Sequence, residues 1–196
     1  MKATFFERLG SYLIDTIIFS FIFSLICLGF GNYTTETEKR MAELDEQLME
    51  KTITTEEYLE EYKDVFYDYQ KENVLQSGIS VALTIAYYVI FQYMNKGQTI
   101  GKKLLNIRVV DKDTEKPISI LKGLLRSLLV LNILSGILGI IFIYLLGKSA
   151  YFNAYGAVAG IEAIFVIITI MFILYRKDHR GLHDMITNTV VIKESR

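Results

Sequence analysis

Four long apolar blocks constrain the fold of this 196-residue chain more than any other feature of its sequence. The blocks run over residues 9–30, 74–94, 126–147 and 154–175. Each is long enough to cross the hydrocarbon core of a bilayer, which takes about 20 residues of helix. Because lipid offers no hydrogen-bond partners to the backbone, such a block must satisfy its own peptide groups as a helix. The sequence therefore predicts four membrane-spanning helices and no separate soluble domain.

Charged residues are segregated between the loops, although the net charge is only −1. Lys and Arg collect in the loop 95–125 and in the tail 176–196, whereas the loop 31–73 holds thirteen Asp or Glu against five Lys or Arg. Basic residues in short loops tend to stay on the cytoplasmic side. We therefore expect a multi-pass protein of the cell membrane with both termini in the cytoplasm and the acidic loop outside.

The acidic loop carries helical signals. Met41, Leu44 and Leu48 recur at helical spacing, and Thr54 with Glu57 fits a capping box at the start of a helix. We expect either two amphipathic helices that form a hairpin between the first two spans or helical extensions of those flanking spans. Their acidity would gather cations near a pore mouth, or would simply be the solvated face of two helices.

The cytoplasmic segments show a β period instead. Leu105, Ile107 and Val109 alternate with polar residues, and the tail ends in the β-branched run 189–192. We expect these segments to pair into a small sheet, and residues 120–129 to form a helix whose basic face suits the lipid interface. The predicted fold is thus an all-α membrane protein: a four-helix transmembrane bundle with an outer helical insertion and a small cytoplasmic β cap, in a single domain.

A carboxylate inside the first span needs an explanation. Asp15 lies two helical turns after Arg8, and a charge at the centre of a span costs roughly 2.5–3.5 kcal/mol. We expect Arg126, which enters the third span from the same side, to be its partner. Asp15 is either a cation or proton site used in transport, or one half of a structural pair that fixes helix packing.

A second carboxylate, Glu162, lies in the outer half of the fourth span. The small residues around it, which would permit close helix approach, are Gly156, Ala159, Gly160 and Ala163. Glu162 and Asp15 would lie at different depths, which is compatible with a proton relay. The alternative is a single interhelical hydrogen bond from Glu162.

Two stretches resemble motifs for cofactor or metal binding, but both motifs are incomplete in this sequence. The stretch Gly97–Lys102 resembles a phosphate-binding loop, but it has one residue too few between its glycines and follows a membrane helix rather than a strand. His179 and His183 have a metal-like spacing, yet Gly181 interrupts any helix between them and no third ligand is evident. We expect no enzyme activity, no metal, no cofactor and no nucleic-acid partner.

Three stretches together resemble the RDD family of membrane proteins, which is named for one arginine and two aspartates. They are "ERLGSYLIDTII", "GQTIGKKLLNIRVVD" and "RGLHDMITNTVVI". By this resemblance Arg8 is the family arginine, and Asp15 and Asp184 are its aspartates. Asn188 stands where members often have glycine, and the acidic outer loop looks like an insertion. The resemblance implies a plasma-membrane protein of undetermined function, with cation/proton antiport proposed for some members.

The resemblance also suggests a site at the cytoplasmic ends of the spans. Asp184 with Arg8, Arg126 and Lys102 would form a polar network that seals this mouth. The loop motif beside it consists of Gly97, Gln98, Thr99, Gly101 and Lys102. Alternatively these are turn and cap residues, with Gly101 needed for close backbone packing and Asp184 serving as a helix cap.

Two functions are consistent with these patterns. The first is a small transporter that exchanges a monovalent cation for protons, with Asp15 as the titrating group. The second is a non-transporting membrane scaffold or accessory subunit whose buried charges are structural. In either case the lipid bilayer is a partner, and the thin wall of four helices favours a homo-oligomer.

Overall fold

The structure is a computed structural model that describes residues 1–29 and 36–194. The last residue of the first predicted span and the first residues of the acidic loop lie outside these ranges. The chain is mostly helical, with one two-stranded sheet. The elements in chain order are α1 Phe5–Leu28, α2 Glu36–Met49, α3 Thr55–Glu72, α4 Val74–Met94, α5 Ile100–Leu104, β1 Ile107–Asp111, α6 Ile120–Leu128, α7 Ile133–Leu145, α8 Lys148–Tyr175, α9 Leu182–Ile186 and β2 Thr189–Lys193.

Within the described residues, three helices are long and apolar enough to span a membrane: α1, α4 and α8. The third predicted span, 126–147, is not one helix, because α6 and α7 meet at a bend of 73°. Asn132 at this break has a φ of 54°, a left-handed conformation that a right-handed helix cannot continue through. The 13 residues of α7 rise only about 20 Å. The membrane part therefore has three clear spans, or four if the bent pair α6–α7 counts as one.

The predicted compact bundle is present only in part. Helix α7 packs between α4 and α8, whereas α1 packs mainly against the short helix α5 and touches α4 only lightly. Apolar side chains of α1 point outward, with Ile17 70% and Phe21 66% exposed. Such a surface is suited to lipid or to another subunit rather than to water.

The two helices predicted in the acidic loop are confirmed as α2 and α3. Thr54 and Glu57 form the predicted capping box, in which the Glu57 N–H donates to Thr54 Oγ1 at 3.2 Å and the Thr54 N–H donates to Glu57 Oε2 at 2.9 Å. Aromatic residues of α3 hold this hairpin against the ends of α7 and α8. The ring centroids of Phe66 and Tyr155 in α8 are 5.7 Å apart, and the Tyr67 hydroxyl donates to the Ile143 carbonyl of α7 at 3.0 Å. We call this end of the molecule the hairpin end.

The predicted sheet is also confirmed, and it lies at the opposite end. β1 and β2 are antiparallel, with Val109 opposite Val191. The chain start joins the sheet because the Ala3 N–H donates to the Val191 carbonyl at 3.0 Å. A small buried core forms beneath it from Ala3, Ile107, Val109, Ile118 and Val191. We call β1, β2, α5 and α9 together the cap, and this end of the molecule the cap end.

Helix α6 is amphipathic as predicted, but its basic face points the other way. Arg126 is 9% exposed, and Lys122 forms an ion pair with Asp111 of the cap. The apolar side chains of Leu121 and Leu125 are 64% and 51% exposed. The prediction of a basic face turned to lipid headgroups is therefore wrong, because the cap supplies carboxylates that pair with these cations.

Candidate functional site

The carboxylate of Asp15 is fully buried and accepts three hydrogen bonds from the protein. Thr99 Oγ1 donates to Oδ2 at 2.5 Å, and the Gly101 N–H donates to Oδ1 at 2.7 Å. The Tyr87 hydroxyl donates to the same Oδ1 at 2.7 Å. Asp15 thus caps the first turn of α5, whose free N–H groups favour a negative charge.

Local sequence explains how these donors converge. Tyr87 lies on a π-helical turn of α4, Ala86–Phe91, and such turns change the direction in which side chains project. Thr99 is the N-cap of α5. Gly101 lets α5 approach α1 closely, because a Cβ there would lie 2.3 Å from the Ser11 carbonyl oxygen.

Arg126 does not pair with Asp15, so that prediction is wrong. Its Nη1 donates to Asp184 Oδ1 at 2.6 Å and to Thr189 Oγ1 at 2.9 Å. The guanidinium therefore joins α6 to the cap instead of joining α6 to the first span. Asp15 needs no guanidinium, since a helix terminus and two hydroxyls already supply its donors.

Asp184 is the centre of the charge network at the cap end. Arg8 Nη1 donates to its Oδ2 at 2.6 Å, which adds α1 to the pair formed with Arg126. The Gly181 N–H donates to the same Oδ2 at 3.0 Å, so Asp184 also caps α9. Burial alone would raise the pKa of this carboxyl, but the nearby guanidinium groups of Arg126 and Arg8 hold it well below its ordinary value. The network and the cap role, set out as alternatives above, coexist in one carboxylate.

Lys102 lies beside this network without bonding to Asp184. Its Nζ donates to Thr99 Oγ1 at 3.2 Å, and it makes no ion pair within the part of the chain that the structure describes. Burial lowers its pKa from 10.5 to about 8, an effect that the charge of Asp15 only partly offsets. Lys102 is therefore a cation without a dedicated counter-ion.

The rest of the loop motif shapes the backbone. Gly97 has a φ of 94°, and a Cβ there would lie 2.0 Å from the Val109 carbonyl oxygen. Only glycine suits such a position. Gln98 Nε2 donates to the Ile107 carbonyl at 3.1 Å. These contacts hold the turn between α4 and α5 against β1, as the structural alternative expected.

Glu162 is buried, with 1% of its surface exposed. Its Oε1 accepts the Ser135 N–H in the first turn of α7 at 3.1 Å, while its Oε2 has no partner. The expected close approach of another helix to the small residues does not occur within the chain, since Gly156 and Gly160 have open space where a Cβ would lie. Glu162 thus caps the broken third span.

Two cavities lie inside the membrane part. One, of about 340 Å³, lies between α1, α4 and the α6–α7 break and has polar walls that include Thr16, Ser80 and Asn132. The other, of about 280 Å³, lies at the cap end. The two share the lining residues Tyr12, Tyr88, Val130 and Leu131.

Sequence reasoning missed several residues of the site. In the sequence, Tyr87 is one residue of an apolar span, and no pattern indicates that its hydroxyl contacts Asp15. Arg180 is buried and donates to the carbonyl oxygens of Thr189 and Asp184, both at 2.9 Å. The sequence signal that could have identified Arg180 is its position beside Gly181 in the stretch "RGLHDMITNTVVI". Only Asp184 was predicted as a site residue from that stretch.

Comparisons with known proteins give one finding. A sequence model of the RDD family matches residues 2–188, nearly the whole chain. No curated protein and no solved structure gives a match.

Proposed function

We propose that this chain, which belongs to the RDD family, is a non-transporting membrane scaffold or accessory subunit whose buried charges fasten its cap to its membrane helices. The observation that carries the proposal is the set of three hydrogen bonds that Asp15 accepts from the protein. Three donors from α4 and the start of α5 occupy both of its carboxylate oxygens. A cation bound there would have to replace these hydrogen bonds, and α5 would lose its cap.

The surroundings fit a protein that works at the inner face of the cell membrane. Exposed lysines lie on and beside the cap, among them Lys96, Lys103, Lys112 and Lys116. By the charge bias of the loops, both termini and the cap face the cytoplasm. This basic surface would contact anionic headgroups or an acidic protein partner. The proposal includes no enzymatic role and no nucleic acid, and the exposed face of α1 favours a homo-oligomer.

Cation/proton antiport remains the second candidate, with its site moved away from Asp15. The larger cavity has polar walls at the level of a broken helix, a combination found at transporter sites. Glu162 is an ionisable residue buried in a span, and its Oε2 has no partner among the described residues. These two observations support transport by a route that Asp15 does not enter.

Flux in proteoliposomes separates the two functions. Purified protein is reconstituted with a pH-sensitive dye and challenged with Na⁺, K⁺ or Li⁺. The scaffold proposal predicts no cation-triggered proton flux above that of protein-free liposomes. Flux that disappears in Glu162→Gln, while the exposed Asp64→Asn control retains it, would overturn the scaffold proposal and support antiport.

A further inference from the structure

The smaller cavity has one charged half and one apolar half. Its charged half is lined by Arg8, Lys102, Arg126 and His183, which come from four different elements, and by Asp15 of α1. It has a volume of about 280 Å³ and is open toward the outer surface of the helices.

Arg8, which lines this cavity, has two donors without a partner among the described residues. Its Nη1 is bonded to Asp184, but its Nε and Nη2 are buried without a partner, and its side chain is only 10% exposed. Nε and Nη2 form the side edge of a guanidinium, and this edge binds two oxygens of a carboxylate or phosphate at once. A buried donor pair left unused is costly, so the geometry favours an acceptor in the cavity.

His183 adds a third unused group. Its Nδ1 is buried without a partner, while Arg126 Nη2 lies 3.2 Å from its Nε2. Because a guanidinium can only donate, Nε2 accepts, and the proton of a neutral imidazole is then on Nδ1. Asp184 Oδ1, the competing partner of Nε2, lies farther away at 3.3 Å. The Nδ1–H is therefore a donor without an acceptor among the described residues, on a side chain that lines the cavity.

Charge around the cavity is unbalanced toward positive. Arg8, Lys102 and Arg126 face two carboxylates within the described residues, Asp15 and Asp184. Asp184 is shared between the two arginines, and Asp15 is engaged by the start of α5. An anion would restore the balance and give Lys102 the counter-ion that it lacks.

The apolar half of the cavity indicates which kind of molecule the anionic group belongs to. It is lined by side chains of α1 and α8, among them Phe5, Leu9, Val166, Ile170 and Ile173. Leu9 and Ile170 are still 38% and 40% exposed, so the cavity wall continues into the outer apolar surface of the helices. That surface would meet acyl chains in a bilayer.

We propose that this cavity binds the phosphate group of an anionic lipid, with Arg8 and His183 as hydrogen-bond donors, Lys102 as an added cation and the apolar half holding the start of an acyl chain. A free phosphate monoester would meet the same donors without filling the apolar half. The inference does not depend on whether the protein transports ions.

The test measures binding by thermal shift in a neutral detergent. Phosphatidylglycerol, phosphatidylcholine and glycerol 3-phosphate are titrated separately into the purified full chain. The proposal predicts saturable stabilisation by phosphatidylglycerol and at least about tenfold weaker binding of the other two, because each lacks either the net negative charge or the chain. Glycerol 3-phosphate as effective as phosphatidylglycerol would overturn the lipid part and assign the site to free phosphate monoesters.

Variants distinguish lipid binding in this cavity from a general electrostatic attraction of anionic lipid to the exposed lysines of the cap end. Arg8→Lys retains a positive charge but loses the side edge, so it should weaken phosphatidylglycerol binding about tenfold. Lys102→Gln should do the same, and it covers the case in which Arg8→Lys does not fold. The exposed Lys103→Gln, next to Lys102, should bind as the wild type does. Equal stabilisation by the two lipids, or unchanged binding in Lys102→Gln, would overturn the proposal.

Discussion

Three buried carboxylates of this protein each accept an N–H at the start of a helix. Asp15 caps α5, Glu162 caps α7 and Asp184 caps its own helix α9. A short helix or a broken span leaves free N–H groups at its start, and within a membrane these groups have no water to bond to. A carboxylate from a neighbouring element, as with Asp15 and Glu162, or from the same helix, as with Asp184, accepts from them and has its own charge stabilised in return. The chain therefore tolerates acidic residues in its spans because its helices are interrupted.

Asp15→Asn tests this role most simply. The amide oxygen of asparagine would still accept from the donors at one former carboxylate oxygen. At the position of the other oxygen, the NH₂ group would face a donor and could not accept its hydrogen bond. We expect a loss of about 1.5–3 kcal/mol of stability, the range for hydrogen bonds to a charged group, and a lower melting temperature in detergent. Asp64→Asn, an exposed change in α3, should leave the melting temperature within a degree or so of the wild type because surface charges contribute little. Equal melting temperatures for the two variants would contradict the cap role.

A double-mutant cycle tests the Asp184 network. Asp184→Asn leaves the guanidinium groups of Arg8 and Arg126 buried without a counter-ion, which should cost about 3–5 kcal/mol. Adding Arg126→Met removes one of these cations, so the double variant should be less destabilised than the two changes added together, by about 1–3 kcal/mol. The exposed pair Arg176 and Asp178 is the reference, with a coupling below about 1 kcal/mol. Strict additivity at Asp184 would show that the network is not a unit.

Lys102 should give the protein a pH-dependent stability. Burial lowers its pKa from 10.5 to about 8, so between these values the unfolded chain holds a proton that the folded chain has released. Stability due to this residue therefore rises with pH across that window, and its penalty is fully present below about pH 8. In zwitterionic detergent, the melting temperature of the wild type should rise relative to Lys102→Met from pH 8 to 10.5. The exposed Lys103→Met should show no such trend, and a gap that stays constant for Lys102→Met would contradict the pKa shift.

Side-chain partners were harder to predict than the residues themselves. The resemblance to the RDD family suggested one network of Arg8, Lys102, Arg126 and Asp184, and all of these except Lys102 are joined through Asp184. The sequence did not indicate the partners of Asp15, because Tyr87 and Gly101 are 72 and 86 positions away. Helical phase shows which face a residue occupies, but it does not show which neighbour that face meets.

At the scale of elements, the largest departure from expectation is the break in the third predicted span. Mean hydropathy is high on both sides of it, so composition alone cannot reveal a bend at Asn132. The left-handed backbone there and the Glu162 cap on the next turn are both tertiary features. Capping signals worked where they were local, as at Thr54 and Glu57, because a capping box lies within four residues.

The approach of α5 to α1 is the contact between elements that should tolerate substitution least. In Gly101→Ala the new Cβ would meet the Ser11 carbonyl oxygen at 2.3 Å, so α5 would have to move away from Asp15. We expect a markedly lower melting temperature. Gly156→Ala is the matched control, since nothing lies within 4 Å of its Cβ position in α8. There alanine should be neutral or stabilise the helix by up to about 1 kcal/mol. The same small effect at both positions would show that α1 and α5 do not touch as described.

At the scale of the molecule, the two ends are packed more tightly than the middle. The hairpin end is held by aromatic rings of α3 and α8, and the cap end by the sheet core and the charge network. Between them, windows of α1, α4 and α8 are only 11–17% buried within the chain. The protein thus has two well-packed ends, which are joined by helices whose exposed sides can contact lipid or other subunits. Such a design suits a scaffold whose cap must stay fixed to the membrane surface.

Amide hydrogen exchange on α5 tests the central claim, that Asp15 is a structural cap, more directly than any other measurement. Wild-type protein and Asp15→Asn are compared in the same detergent, with α2 and α3 as an internal reference. The cap role predicts that the amides from Ile100 to Leu104 exchange at least about tenfold faster in the variant, since 1.4 kcal/mol of lost protection is a factor of ten. The hairpin should be unchanged. Unchanged exchange in α5, together with loss of a cation-driven proton flux in Asp15→Asn, would contradict the account and return Asp15 to a transport role.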